Sequence, residues 1–189
     1  MLGIVMEYYS ILFEEARKHG WGLILVRRSE FYNFINILLK RFGRIKLLDV
    51  GCWKCFLCGH LKEMYGDKIE YVGIDIVDPS GRVEGCEFYV MSATNLLFPS
   101  ESFHAVVFIE SLEHIQDYVQ ALREAYRVLK RGGGIFIQSV KAGFPDSIAD
   151  QTHFHVLHPI TLSRLLRWIG FQNIEYVDEH NFAVWGYKL

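Results

Sequence analysis

Short apolar runs fall at residues 45–50, 70–75, 87–91, 105–110 and 134–140, the way strands covered on both faces read. Between them, over about 55–65 and 117–130, apolar residues recur every three or four positions, the spacing of amphipathic helices. Residues 92–104 carry neither period and read as mostly loop. Strand and helix therefore alternate, which predicts an α/β fold with a parallel sheet and helices on both faces. Further on, Leu162, Leu165, Leu166 and Ile169 form the buried stripe of a helix over 161–169 that Gly170-Phe171 ends. Residues 174–177 and 182–187 flank the turn 178–181 as a closing antiparallel hairpin. At the other end, residues 1 to about 19 have helical spacing, with Leu2, Met6, Tyr9, Leu12, Phe13 and Ala16 on one face. Gly20 ends that helix, and 21–26 pass as an extended connection. Ser29 is the expected N-cap of a second helix carrying Phe31, Phe34, Ile35, Leu38 and Leu39, closed by Gly43.

The first core strand breaks at Gly51 into a turn, and a helix follows. That order opens the ligand side of many α/β sheets. The second strand ends in a carboxylate, Asp75, 24 residues after Gly51 (75 − 51). About 20 residues is the spacing expected of an acid that takes a ribose hydroxyl pair. The two features in this order point to an adenosine-containing cofactor.

Downstream stand Ser92-Ala93, Leu97-Phe98-Pro99, Ser102-Phe103-His104-Ala105-Val106-Val107 and Ser111-Leu112-Glu113-His114-Ile115. Then come Leu122-Arg123-Glu124, Arg127-Val128-Leu129-Lys130, Gly132-Gly133-Gly134 and Gly170-Phe171. In order and spacing, from about residue 45 to 177, the chain resembles the class I S-adenosylmethionine-dependent methyltransferases of the type 11/12 kind. The resemblance implies a Rossmann-like, seven-stranded, mostly parallel sheet with an antiparallel last strand. It also implies an N-terminal helical cap segment (1–43) and a cofactor-binding core (44–189). A segment like 1–43 often covers the cofactor site in related enzymes, and the alternative is helices packed on the sheet edge.

The same resemblance gives roles to residues. Asp49 lies near the methionine amino group, Gly51, Cys52 and Trp53 form the turn around the cofactor, and Asp75 with Ile76 holds the ribose side. Ser92 and Ala93 meet the adenine edge, and Glu110 ends the fourth strand at the cofactor. The turn departs from the family's Gly-x-Gly-x-Gly, because Trp53 and Cys55 stand in for two glycines. If position 53 needs a positive φ, tryptophan there costs conformational energy. His104 replaces a frequent aspartate at a position that supports the fold.

Two further groups carry candidate chemistry. Glu110, Glu113 and His114 have the spacing that puts side chains on one face of a helical turn. This E-x-x-E-H pattern is similar to the one ubiquinone-biosynthesis O-methyltransferases use for a divalent metal, so Mg2+ is a candidate second cofactor. His153, His155 and His158 follow the fifth strand. His153 and His155, at alternating positions, are candidate general bases beside Glu110.

Composition narrows the readings. The 189 residues suffice for one sizeable core, and 51% of them are apolar, which argues against disorder. A net charge of −2 gives no electrostatic reason to expect nucleic acid, and Arg27, Arg28, Lys40, Arg41, Arg44 and Lys46 read as a solvated face. The apolar runs fall short of the ~20 residues of a membrane span, and no secretory signal is visible, so a cytoplasmic protein is expected. Cys52, Cys55 and Cys58 form a C-x2-C-x2-C array that invites an iron–sulfur reading, but the fourth cysteine and proline do not follow. Cys86 is the remaining cysteine, and in a reducing compartment no disulfide is expected. Neither an Asn-Pro-Pro-Tyr-like motif nor a Pro-Cys nucleophile is found. The expected activity is methyl transfer to a small-molecule acceptor, with O-methylation preferred. The rivals are a cofactor-binding but inactive partner subunit, an RNA methyltransferase, and a metal or cluster protein.

Overall fold

The computed structural model describes Leu25 and residues 27–143, 145–179 and 181–189. The expected helix over residues 1 to about 19 and most of the connection that follows lie outside them. The elements run α1 (Arg28–Phe42), β1 (Ile45–Val50), α2 (Phe56–Tyr65), β2 (Ile69–Asp75), β3 (Glu87–Val90), β4 (Phe103–Ile109), α3 (Tyr118–Val128), β5 (Leu129–Val140), α4 (Pro145–Ala149), α5 (Pro159–Ile169), β6 (Gln172–Val177) and β7 (Asn181–Tyr187). Short 3-10 turns stand at Gly66–Lys68 and Leu112–His114.

The seven strands form one sheet in the order β3-β2-β1-β4-β5-β7-β6. Strands β1 to β5 pair in parallel, while β7 runs antiparallel to both β5 and β6. Alternate residues of each central strand enter different layers, as period-2 side-chain geometry requires. Leu48, Val50, Val106, Phe108, Ile135 and Ile137 meet α3 and α5 on one face. Leu47, Ala105, Val107 and Phe136 meet α1 and α2 on the other. The core sits in these two layers, so the chemistry is left to the strand ends.

Helix α1 packs on the sheet face, not on its edge. Phe31 and Phe34 lie against Phe136 of β5, with ring centroids 5.3 and 5.6 Å apart. The helix starts two residues earlier than its Ser29 cap predicts. Its N-cap is Arg27, and the Ser29 hydroxyl bonds the Glu30 carboxylate instead. Arg27 is drawn there by tertiary contacts, since its backbone N–H donates to Gln138 Oε1 at 3.0 Å. Strand β5 begins at Leu129, five residues before the expected start, because Leu129 already pairs with Phe103. Loop 92–102 is clamped to α3. Glu124 accepts from the Leu96 N–H at 2.8 Å, and Arg127 donates to the carbonyls of Leu96 and Phe98 at 2.8 and 2.9 Å. The Leu122-Arg123-Glu124 and Arg127 motifs thus hold a loop. His104 supports the fold, accepting from the Lys46 N–H at 2.8 Å.

Candidate functional site

The sheet order reverses between β1 and β4, and the crevice at the carboxyl ends of adjacent strands is where such sheets bind ligands. At this point β1 delivers Asp49 and the turn 51–55, β2 delivers Asp75, and β4 delivers Glu110.

Gly51 has φ 74° and its amide donates to the Ile74 carbonyl at 2.9 Å. A Cβ there would meet Ser111 Cβ at 2.6 Å, so glycine is required both by conformation and by space. Ser111 in turn donates to the Val50 carbonyl at 2.6 Å, tying the turn after β4 to the end of β1. The two residues standing in for glycines do take left-handed backbone: Trp53 has φ 47° and Cys55 φ 60°. Each costs about 1–2 kcal/mol relative to a glycine in that region. Nevertheless the Trp53 N–H donates to Asp75 Oδ2 at 3.0 Å, so the strained turn reaches the second strand.

Asp49 is buried, and its Oδ2 accepts from the Tyr71 hydroxyl at 2.7 Å. Burial pushes its carboxyl up to about 7, against the pull of that hydrogen bond. Asp49 pairs with Gly73 across the β1–β2 ladder. A Cβ at Gly73 would meet Cys52 Sγ at 2.6 Å and the Tyr71 hydroxyl at 3.1 Å, so those two side chains occupy the space a side chain at 73 would need. Cys52 is accordingly packed inward, 3.6 Å from Cys55 Sγ. Asp75 is also raised by burial, less the effect of the backbone N–H groups of Trp53, Val77 and Ile76. Ile76 is exposed. Ser92, at the end of β3, shares a 2.8 Å hydrogen bond with Thr94, and Ala93 is buried in the core.

On the other side of the crevice Glu110 has φ 48° and its Oε1 accepts from Gln138 at 2.8 Å and Asn181 at 3.1 Å. Glu113 is fully buried, and burial, with the neighbouring Glu110 carboxylate, holds its carboxyl well above the usual carboxylate range. Burial pushes His114 down to about 4. Glu113, His114 and His153 bring one ligand atom each to within 4.8 Å of one another, so the third member of the cluster is a histidine from 39 residues on (153 − 114), with Glu110 beside it. The segment carrying His153 is held there by the N–H groups of Phe154 and His155, which donate to the Glu113 carbonyl at 3.0 and 3.3 Å. His153 Nε2 lies 3.7 Å from Asp150 Oδ2. His155 is turned elsewhere, with Nε2 2.9 Å from the Gln116 carbonyl and its ring 4.6 Å from that of Tyr118. His158 caps α5, accepting from the Ile160 N–H at 3.3 Å.

Tyr71, Gln138, Ser111 and Asn181 have no signal in the sequence pattern that marks them as site residues. The cysteines correct an expectation. Cys58 and Cys86 form a disulfide, with Cα atoms 6.2 Å apart, while Cys52 and Cys55 are free and buried. Cys58 is therefore not available to complete an iron–sulfur ligand set with them. No helix of the described residues is long and apolar enough to cross a membrane.

Residues 48–137 match the family model described as "Methyltransferase domain". Among curated proteins the chain is 31% identical over 102 residues to norajmaline N-methyltransferase of Rauvolfia serpentina, covering 49% of this chain and 35% of that protein. It is 32% identical over 96 residues to demethylmenaquinone methyltransferase of Staphylococcus epidermidis, covering 47% of this chain and 40% of that protein. The chain thus spans well under half the length of these relatives. Among solved structures, a SAM-dependent methyltransferase from Archaeoglobus fulgidus superposes with TM-score 0.75 at 20% identity, over 96% of this chain and all of that one. One from Thermotoga maritima, described as a possible histamine N-methyltransferase, gives 0.68 at 18% identity over 98% of each.

Proposed function

We propose that this chain, which has the class I methyltransferase fold and carries a methyltransferase domain over residues 48–137, moves the methyl group of S-adenosylmethionine to the hydroxyl of a small-molecule acceptor. The observation that carries the reading is the convergence of Asp49, Gly51 and Asp75 on one crevice, with Gly51 leaving no room for any side chain of its own. The curated relatives, named for N-methylation of norajmaline and for methylation of demethylmenaquinone, support a small acceptor.

When bound, S-adenosylmethionine supplies an already activated methyl group on a sulfonium. The chain's residues bind, orient and manage one proton. Asp75 accepts from the two ribose hydroxyls, held in position by the N–H groups of Trp53 and Val77. Asp49, fixed by Tyr71, is the counter-ion for the methionine ammonium, whose charge favours the ionised carboxylate. Ile76, Ser92 and Ala93 border the adenine, and the backbone of Cys52 and Trp53 closes the methionine side. Glu110, braced by Gln138 and Asn181, divides the cofactor from the acceptor. His153 takes the acceptor's proton, its Nε2 lying 3.7 Å from the Asp150 carboxylate. His155, engaged by Gln116, orients the segment that carries the base.

A second reading rests on the Glu113, His114 and His153 cluster, which fits a divalent cation that would lower the pKa of an acceptor hydroxyl. One carboxylate and two imidazoles suit a borderline transition ion such as Zn2+ or Fe2+ better than Mg2+, which favours an all-oxygen set.

Calorimetric titration with S-adenosylmethionine tests the cofactor assignment. Wild type binds, and Asp75→Ala weakens binding at least about tenfold, the loss of a charge-assisted pair. Absence of binding in wild type would sink the reading and favour an inactive partner subunit. Phenolic and amine acceptors, assayed for S-adenosylhomocysteine with and without added Zn2+, then test the acceptor. Turnover of amines alone would replace the hydroxyl by a nitrogen.

A further inference from the structure

The segment between Asp75 and β3, residues 76–86, is folded back onto α2. Val83 N–H donates to the Lys54 carbonyl at 3.0 Å, and Lys62 Nζ donates to the Gly85 carbonyl at 2.6 Å. The Cys58–Cys86 disulfide makes a covalent join between the same two elements. The Lys62 bond is exposed, and a hydrogen bond in water holds a loop weakly. The disulfide closes a loop of 28 residues that contains all of β2 and the candidate ribose acid. Cys58 is fully buried, whereas Cys86 is partly exposed and lines a cavity of about 600 Å3 bordered by residues 78 to 86. Of the two cysteines, Cys86 is thus the one a thiol reagent would approach first.

We propose that the Cys58–Cys86 bridge is a redox-operated clasp on the ribose side of the cofactor site; this rests on the assignment of Asp75 to the cofactor made above. Closed, it holds segment 76–86 against α2, and with it Val77, whose N–H donates to Asp75 Oδ1 at 3.3 Å. Opened, the segment loses its covalent anchor, and Val77 and Ile76 no longer fix the carboxylate's direction. Opening is a two-electron reduction by a dithiol. One thiolate of the dithiol attacks Cys86 Sγ, the bond between the two cysteines breaks, and Cys58 leaves as a thiolate that takes up a proton. The second thiol of the reductant then closes on the first and releases Cys86 as a thiol. The reductant leaves as a disulfide, so electrons and protons balance.

The test compares oxidised protein with protein treated with dithiothreitol, the state of each confirmed by thiol counting and mass spectrometry. Amide hydrogen exchange of segment 76–86 should accelerate on reduction while β5 and β7 stay protected. S-adenosylmethionine affinity should fall about tenfold, as it does when the binding-competent arrangement drops to a tenth of the population. Cys86→Ser, at the partly exposed position, should reproduce the reduced state and ignore dithiothreitol. Equal exchange of 76–86 in the two states overturns the clasp, as does finding both cysteines as thiols that mild oxidation does not join. If neither state binds S-adenosylmethionine, the cofactor assignment fails, and the exchange comparison still decides whether the bridge holds the segment.

Discussion

Each half of the crevice holds a deeply buried carboxylate, Asp49 in one and Glu113 in the other, and the two keep different company. Asp49 and Asp75, on the β1–β2 side, are met by neutral donors: the Tyr71 hydroxyl and the N–H groups of Trp53 and Val77. Glu113, on the β4 side, stands with two imidazoles, His114 and His153. A buried carboxylate with only neutral donors stays partly protonated until a cation arrives, which is why burial carries Asp49 up to about 7. On the proposed function, a positively charged ligand completes the first half. The second has imidazole nitrogens of its own that lie within reach of one cation. Backbone strain follows the same division: two left-handed non-glycine residues, Trp53 and Cys55, shape the first half, against Glu110 in the second.

The largest effect that would sharpen this contrast lies at Asp49. Its carboxyl sits at about 7 in the folded chain against an ordinary 3.8. The folded state therefore keeps a proton the unfolded state has lost. The stabilisation is complete below the ordinary value and is lost as pH rises through about 7. The difference amounts to something on the order of 4 kcal/mol. In ligand-free urea unfolding from pH 4.5 to 8, Asp49→Asn should lose that downward slope and be more stable than wild type at pH 8. Parallel pH profiles would break the comparison. Cofactor binding by wild type should tighten over the same range, because the ammonium selects the ionised form.

Next in size is Gly51→Ala, which meets Ser111 at 2.6 Å and must adopt a positive φ. A loss of about 3 kcal/mol in thermal unfolding is expected, together with loss of cofactor binding. Retained binding would show that the two turns are less tightly joined than the Ser111 bond to Val50 indicates. His158→Ala removes the cap of α5 and should cost about 1 kcal/mol, a few degrees in Tm, without changing cofactor affinity. A change in affinity there would extend the acceptor half beyond His153. The smallest effect is expected from Ser92→Asp, which adds a charge-assisted acceptor at the adenine edge and should tighten binding by less than about 1 kcal/mol in calorimetry.

Periodicity made the sheet legible. Strands at 45–50 and 105–110 and the closing hairpin could be read because burial on two faces leaves an apolar run, and alternation assigns each residue a layer. The strand-end positions of Gly51 and Asp75 were legible too, because each lies within one turn of an apolar run. Contacts between distant segments left no trace. His153 joins Glu113 and His114 across 39 residues, Cys58 finds Cys86 across 28, and Tyr71 reaches Asp49 only through the register of two strands. The Ser29 cap failed for the same reason, since Gln138 of β5 sets where α1 begins. The Trp53 conformation was legible as a conflict in the sequence, but its hydrogen bond to Asp75 was not.

Gly73 lies in mid-strand, where a glycine has no turn to make. Its Cβ position is filled by Cys52 Sγ and crowded by the Tyr71 hydroxyl. The emptiness at 73 is therefore a shared volume, lent by β2 to two neighbours that work for β1. Any side chain placed there evicts the phenol from Asp49 or the thiol from its niche. Positions 73, 52 and 71 can consequently drift only in concert: a larger residue at 73 demands a smaller one at 52 and a new proton donor for Asp49. A glycine that binds nothing is in this way bound up with the acidity of a carboxylate on the next strand.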